Sequence, residues 1–164
     1  MKKTLALVAL FGALAVPAWA SGYHRGPHDG PVLHAGAMAI GHPGDPALVD
    51  RTIRMSMIDA PTGAMAFDVQ SIEIRQGETI RLVLSNDGGA AHEFVMATPA
   101  EIAVHRAEMG DAAGMIHEAA YAARVDPGAT RTLVWTFTNG GSFEFACLIP
   151  GHYEAGMRGR LTVE

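Results

Sequence analysis

From Arg51 to the C-terminus the chain is written in short β-forming runs separated by turn residues, and this pattern limits the fold more than any other feature. The runs are Thr52 to Asp59, Ala66 to Arg75, Glu78 to Asn86, His92 to Met96, Thr130 to Thr138, Ser142 to Leu148 and Arg158 to Val163. Gln76-Gly77 and Asp87-Gly88-Gly89 punctuate them as turns. In Thr79-Ile80-Arg81-Leu82-Val83-Leu84, the side chains Ile80, Leu82 and Leu84 fall at every second place, the period of a strand with one buried face. Seven or eight such strands read as an all-β sandwich. The pattern breaks at about 97–128. Thr98-Pro99-Ala100-Glu101 is a capping box with Pro at the first helical position, which predicts a short helix stopping near Gly110, with a further helical turn over Ile116 to Ala123.

Upstream of Arg51 the chain has a different character. Lys2 and Lys3, the apolar stretch Leu5 to Val16 and the small-x-small site Ala18-Trp19-Ala20 read as a secretory signal peptide over residues 1–20. That stretch is short for a membrane span. No later segment approaches the roughly 20 apolar residues a spanning helix needs, so the mature chain is expected to lack one. Residues 21–50 hold Gly, Pro and His in abundance, including His24, His28, His34 and His42, and read as a flexible arm preceding a single domain at 51–164. Cleavage leaves 144 residues with ten Arg against seventeen Asp and Glu, a formal charge of −7, which speaks against nucleic acid as a partner.

Exported proteins usually carry cysteines in pairs. Here there is one, Cys147, which excludes an internal disulfide and leaves either a free thiol or a metal ligand. It opens the sequence Cys147-Leu-Ile-Pro-Gly-His152-Tyr-Glu-Ala-Gly-Met157, which sets a thiolate, an imidazole and a thioether on one short loop after the aromatic strand Phe143 to Ala146. Two His, one Cys and a weak axial Met make up a blue-copper centre, so the pattern asks for one more His. His92, in Ala91-His92-Glu93-Phe94-Val95, is the candidate. Soft sulfur suits Cu(I) and imidazole serves both oxidation states, whereas a thioether is a poor ligand for zinc. Pro150-Gly151, between two of the ligands, predicts a tight turn that fixes the loop before metal arrives. Taken singly, a buried Cys or a strand Met is more often core filling, and it is the combination that points to copper.

Residues 51–164 resemble the cupredoxins, the type 1 blue-copper proteins. Asn86 to Phe94 and Phe143 to Met157 carry the resemblance, and the ligand-loop spacing looks more like auracyanin or rusticyanin than plastocyanin. The resemblance implies a Greek-key β-sandwich with one copper at one end, cycling between Cu(I) and Cu(II). It assigns the ligand roles to His92, Cys147, His152 and Met157, with His152 toward the exposed end. In many members an Asn follows the upstream His and steadies the Cys loop. Here Glu93 stands in that place, and it either brings a carboxylate near the metal, favouring Cu(II), or turns to solvent. A dinuclear copper centre needs two Cys. Oxidases and nitrite reductases of this type flank the Cys with His, where this chain has Ala146 and Leu148, so no enzymatic activity is expected.

Two functions fit. One is a periplasmic one-electron carrier that docks weakly on redox partner proteins through a small patch at Pro150, Gly151, Ala155 and Gly156. The other is periplasmic copper sequestration or tolerance, alongside copper-handling proteins. It would use the same site together with the arm His, with His105, Met109, Met115 and His117, and with Met55, Met57 and Met65. Met55 and Met57 alternate along a strand and read equally well as core. A His-bearing arm before a cupredoxin domain resembles some proteobacterial copper-tolerance proteins. In either case the chain is expected to act as a monomer.

Overall fold

A computed structural model describes residues 38–111 and 119–164. The expected signal peptide, the first part of the expected arm with His24, His28 and His34, and the segment holding Met115 and His117 lie outside the described residues. Ten strands, one α-helix and a short 3-10 turn at Pro46–Leu48 are present among those described: β1 His42–Pro43, β2 Arg51–Asp59, β3 Met65–Phe67, β4 Ser71–Ile74, β5 Thr79–Asn86, β6 His92–Ala97, α1 Pro99–Asp111, β7 Ala122–Val125, β8 Thr130–Thr136, β9 Gly141–Ala146 and β10 Arg158–Val163. They form two five-stranded sheets, ordered β1-β8-β5-β2-β3 and β4-β10-β9-β6-β7. The β2–β5 and β4–β10 pairs are parallel and join strands that are not consecutive in the chain, so each needs a crossover connection.

The alternation in β5 holds: Ile80, Leu82, Leu84 and Asn86 are buried while the residues between them are only half-buried. Between the sheets an aromatic cluster fills the core. Phe145 stacks on Phe94 with ring centroids 5.8 Å apart, and both meet Phe67 edge-on, at 5.2 Å for Phe145 and 6.0 Å for Phe94. Gly159, on β10, lies directly under the Phe145 ring, where any Cβ would collide with Cζ. Every residue of β6 is buried, because α1 packs on this strand and on β9. The capping box forms as its sequence predicts. The Glu101 amide donates to Thr98 Oγ1 at 3.2 Å and the Thr98 amide donates to the Glu101 carboxylate at 2.9 Å.

Three departures from the sequence reading have local causes. The latter part of the expected arm is built into the sandwich: His42–Pro43 pair with Trp135 and Thr136 of β8, and Ile40 is fully buried. The run Ala66 to Arg75 is split into β3 and β4, which belong to different sheets, so the chain must cross over between Phe67 and Ser71. Ala122 and Ala123, expected to be helical, instead pair with Val95 and Phe94 at the edge of the second sheet; ladder hydrogen bonds and burial override alanine's preference for helix. Among the described residues no helix is long and apolar enough to cross a membrane.

Candidate metal centre

β6 begins, β9 ends and β10 begins at one end of the second sheet, where the last residue of β2 arrives from the first sheet. His92 is the first residue of β6, Cys147 follows β9 and Met157 precedes β10, so strand pairing alone brings them to the same end. The loop between Cys147 and Met157 is held by its own backbone. Ile149-Pro150-Gly151-His152 closes with the His152 amide donating to the Ile149 carbonyl at 3.0 Å, and Gly151 sits at φ 89°, as the third position of a type II turn demands. The Met157 amide then donates to the His152 carbonyl at 3.1 Å, and the Cys147 amide to the Met157 carbonyl at 3.0 Å. Three of the four predicted ligand residues are thus tied to one another through main-chain bonds.

The side chains converge as well. His92 Nδ1 lies 3.2 Å from His152 Nδ1, and Cys147 Sγ lies 3.4 Å from the same His152 nitrogen. One donor atom from each of the three falls within 4.8 Å of the others. His92, Cys147 and Met157 are completely shielded from solvent, while His152 is half-buried. Backbone amides of Glu93, at 3.3 Å, and of Ile149 point at the Cys147 sulfur. Burial nevertheless pushes the Cys147 thiol up to about 11, with the Glu93 and Asp59 carboxylates adding to the rise, so the metal-free protein holds a neutral thiol that a metal must deprotonate. His152 is held below its ordinary value, first by burial and then by His92. Two imidazole nitrogens and one sulfur, converging in a largely buried pocket, with a methionine on the same loop, fit copper.

Glu93 does not turn to solvent. It is 3% exposed, and its carboxyl accepts the Leu148 amide, the residue after Cys147, while facing Arg124 across the β6–β7 pair. Burial raises it to about 7 against those two opposing influences. It therefore steadies the Cys loop from the place where many cupredoxins carry Asn. Two further residues escaped the sequence reading. Asn86, fully buried, donates to the Ala90 and Val125 carbonyls at 2.8 Å and accepts the Gly88 amide, which braces the turn leading to His92. Asp59, the end of β2, accepts His92 Nε2–H at 2.5 Å. Partial burial raises the Asp59 pKa, but donation from the Ala90 amide, His92 and the Gly89 amide outweighs it and keeps the carboxyl below its ordinary value.

Outside the pocket, α1 borders the loop. A groove of about 490 Å³ runs between Ala103, Arg106 and Ala107 on the helix and Leu148 to Gly151, Tyr153 and Glu154 on the loop. Arg106 and Arg158 lie over the Tyr153 ring at 4.5 and 4.7 Å. Of the residues expected to form a docking patch, Pro150, Gly151 and Gly156 are exposed and Ala155 is half-buried, and the charged side chains of Arg106 and Glu154 lie nearby. Of the additional Met and His, Met55 and Met57 are core residues, Met109 and His105 are buried on α1, and Met65 is half-buried. His42 is exposed on β1.

A two-sheet Greek-key sandwich with a His-Cys-His cluster and a buried Met at one end defines a cupredoxin. The sequence profile described as copper binding proteins, plastocyanin/azurin family, matches residues 55–164, and the chain belongs to that copper-binding family. It is 43% identical over 163 residues to the copper-resistant cuproprotein CopI of Rubrivivax gelatinosus, covering 99% of this chain and 96% of that one. It is 35% identical over 159 residues to the protein of the same name from Pseudomonas aeruginosa, covering 79% and 85%. Among solved structures, auracyanin from Roseiflexus castenholzii superposes with a TM-score of 0.59 at 24% identity, over 71% of this chain and 98% of that one, a likeness of fold.

Met157 is buried at the far end of the loop that Cys147 opens, tied to it through the main chain. If Met157 is the fourth, weak donor, Met157→Leu is expected to leave copper bound and to raise the reduction potential, because a thioether would be lost while both His and Cys remain. Protein-film voltammetry of the two proteins checks this, and an unchanged potential would show that Met157 is not axial.

Proposed function

We propose that the chain is an exported, monomeric cupredoxin that holds one type 1 copper through His92, Cys147, His152 and Met157 and serves copper tolerance, without enzymatic activity of its own. The observation that carries this reading is the buried cluster of two Nδ1 atoms and one Sγ within 4.8 Å, in a chain similar over almost its whole length to proteins named for copper resistance. Copper bound there supplies one-electron exchange between Cu(I) and Cu(II). The protein's own part is rigidity. The type II turn at Pro150-Gly151, the Cys147–Met157 backbone bond and the brace from Glu93 to Leu148 keep the donors in place whatever the metal's charge. The signal-like sequence at 1–20 supports a periplasmic location.

A second reading, an electron carrier between periplasmic proteins, is favoured by His152. It alone of the three clustered donors is partly exposed, beside Pro150, Gly151 and Gly156. Growth separates the two. In a strain lacking this gene, the tolerance reading expects hypersensitivity to copper that wild-type protein relieves and Cys147→Ser does not. Equal copper tolerance with and without the gene would contradict it and favour a carrier. With Met55, Met57, His105 and Met109 buried, the arm, together with Met115 and His117, is left as a source of extra copper capacity. Removing residues 21–37, which spares Ile40 and β1, should therefore keep the tight copper and lose weaker ones. Identical stoichiometry before and after would count against a storage role for the arm.

A further inference from the structure

The carboxylate of Asp59 occupies a built socket. Its Oδ1 accepts Nε2–H of His92 at 2.5 Å, and its Oδ2 accepts the amides of Gly89 and Ala90, both at 2.8 Å. All three donors come from the β5–β6 turn and the start of β6, whereas Asp59 comes from β2 of the facing sheet. Gly88 makes the room: a Cβ there would stand 2.6 to 2.7 Å from the Asp59 carboxyl atoms. An ionised carboxylate offers only acceptors and an amide N–H only donates, so both oxygens are committed. The His92 proton therefore sits on Nε2, and a neutral His92 presents a lone pair at Nδ1, the atom facing His152 Nδ1 and the cluster with Cys147.

We propose that Asp59 is a positioning residue of the copper centre, which locks His92 in its ligating tautomer before metal arrives and, through its negative charge, weights the site toward Cu(II). This rests on the reading of the cluster as a copper site. A carboxylate hydrogen-bonded to the far nitrogen of a ligating imidazole makes that imidazole a stronger donor. It also favours the oxidation state with the extra positive charge. The arrangement distinguishes Asp from its isostere. Asp59→Asn turns one oxygen into a donor, which must then face either Nε2–H of His92 or the two backbone amides; a residue that merely pinned the turn would not depend on this difference in the same way.

The test begins on metal-free protein, with long-range 1H–15N correlation of the imidazole nitrogens. Wild-type His92 should be a single Nε2–H tautomer, and Asp59→Asn should show Nδ1–H or a mixture. Gly88→Ala, which displaces the carboxylate while keeping its charge and every ligand, should move the tautomer in the same direction and serves if Asp59→Asn does not fold. With copper added, Asp59→Asn should lose about 10- to 100-fold in Cu(II) affinity and less in Cu(I) affinity. Its reduction potential should rise by about 59 mV for each factor of ten between the two. An Nδ1–H tautomer in the wild type, or a tautomer and potential unchanged in Asp59→Asn, would overturn the proposal. A wild type with the expected tautomer but no blue copper would overturn the copper reading and the Cu(II) preference with it, and would uphold the hold of Asp59 on His92.

Discussion

Cys147→Ser is expected to abolish the blue charge-transfer colour of the copper-loaded protein while leaving the sandwich folded. The colour of such a centre belongs to the bond between copper and a thiolate, and Cys147 is the only thiol in the chain. The substitution is small and its backbone role survives, since the bond joining Cys147 to Met157 runs through the main-chain amide. What changes is the donor. A serine hydroxyl is harder than sulfur and far more reluctant to give up its proton, so Cu(I) should be held poorly and Cu(II) without the intense band. Visible absorption of the loaded variant, with far-ultraviolet circular dichroism as the control on folding, reads both parts. A blue band that persists would remove Cys147 from the site.

Phe145→Ala should cause the largest loss of stability, about 3–5 kcal/mol in the metal-free protein. The ring is completely buried, stacks on Phe94, meets Phe67 edge-on and fills the space that Gly159 leaves open. Because the Gly159 strand and the aromatic cluster are both fixed in the sandwich, little can collapse into the cavity. For a protein of this size, each kcal/mol corresponds to roughly 2–4 °C in Tm. Copper that binds only the folded state should stabilise both proteins, and should stabilise the variant less if the cavity loosens Cys147 two residues on. Thermal unfolding with and without copper measures both effects. A loss below about 1 kcal/mol would mean that this cluster does not organise the core.

The candidate copper loop was legible because three of its expected donors, Cys147, His152 and Met157, lie within eleven consecutive residues, with Pro150 and Gly151 marking the turn between them. His92 could be found because it opens a strand directly after a glycine-rich turn, and β6 pairs with β9 to carry it to the Cys loop. Asp59 could not. It arrives from 33 residues away on the other sheet, and an acid at the end of a strand has no local signature. The direction of Glu93 was hidden for a different reason. Alternation along β6 would put every second side chain in solvent, but α1 covers this strand and buries both faces. β7 was misread because Ala122 and Ala123 carry a helical preference that only pairing with β6 overrides. The end of the arm was missed because Ile40 and a two-residue strand are too short to show a period.

The most direct test of the copper centre is a copper titration of the purified protein lacking residues 1–20, following visible absorption and EPR together with total bound copper. One equivalent taken up tightly, with an intense blue band and the narrow copper hyperfine splitting of a thiolate-bound type 1 site, is the predicted result. Copper bound without a blue band at any stoichiometry would contradict the assignment of His92, Cys147, His152 and Met157 as its ligands.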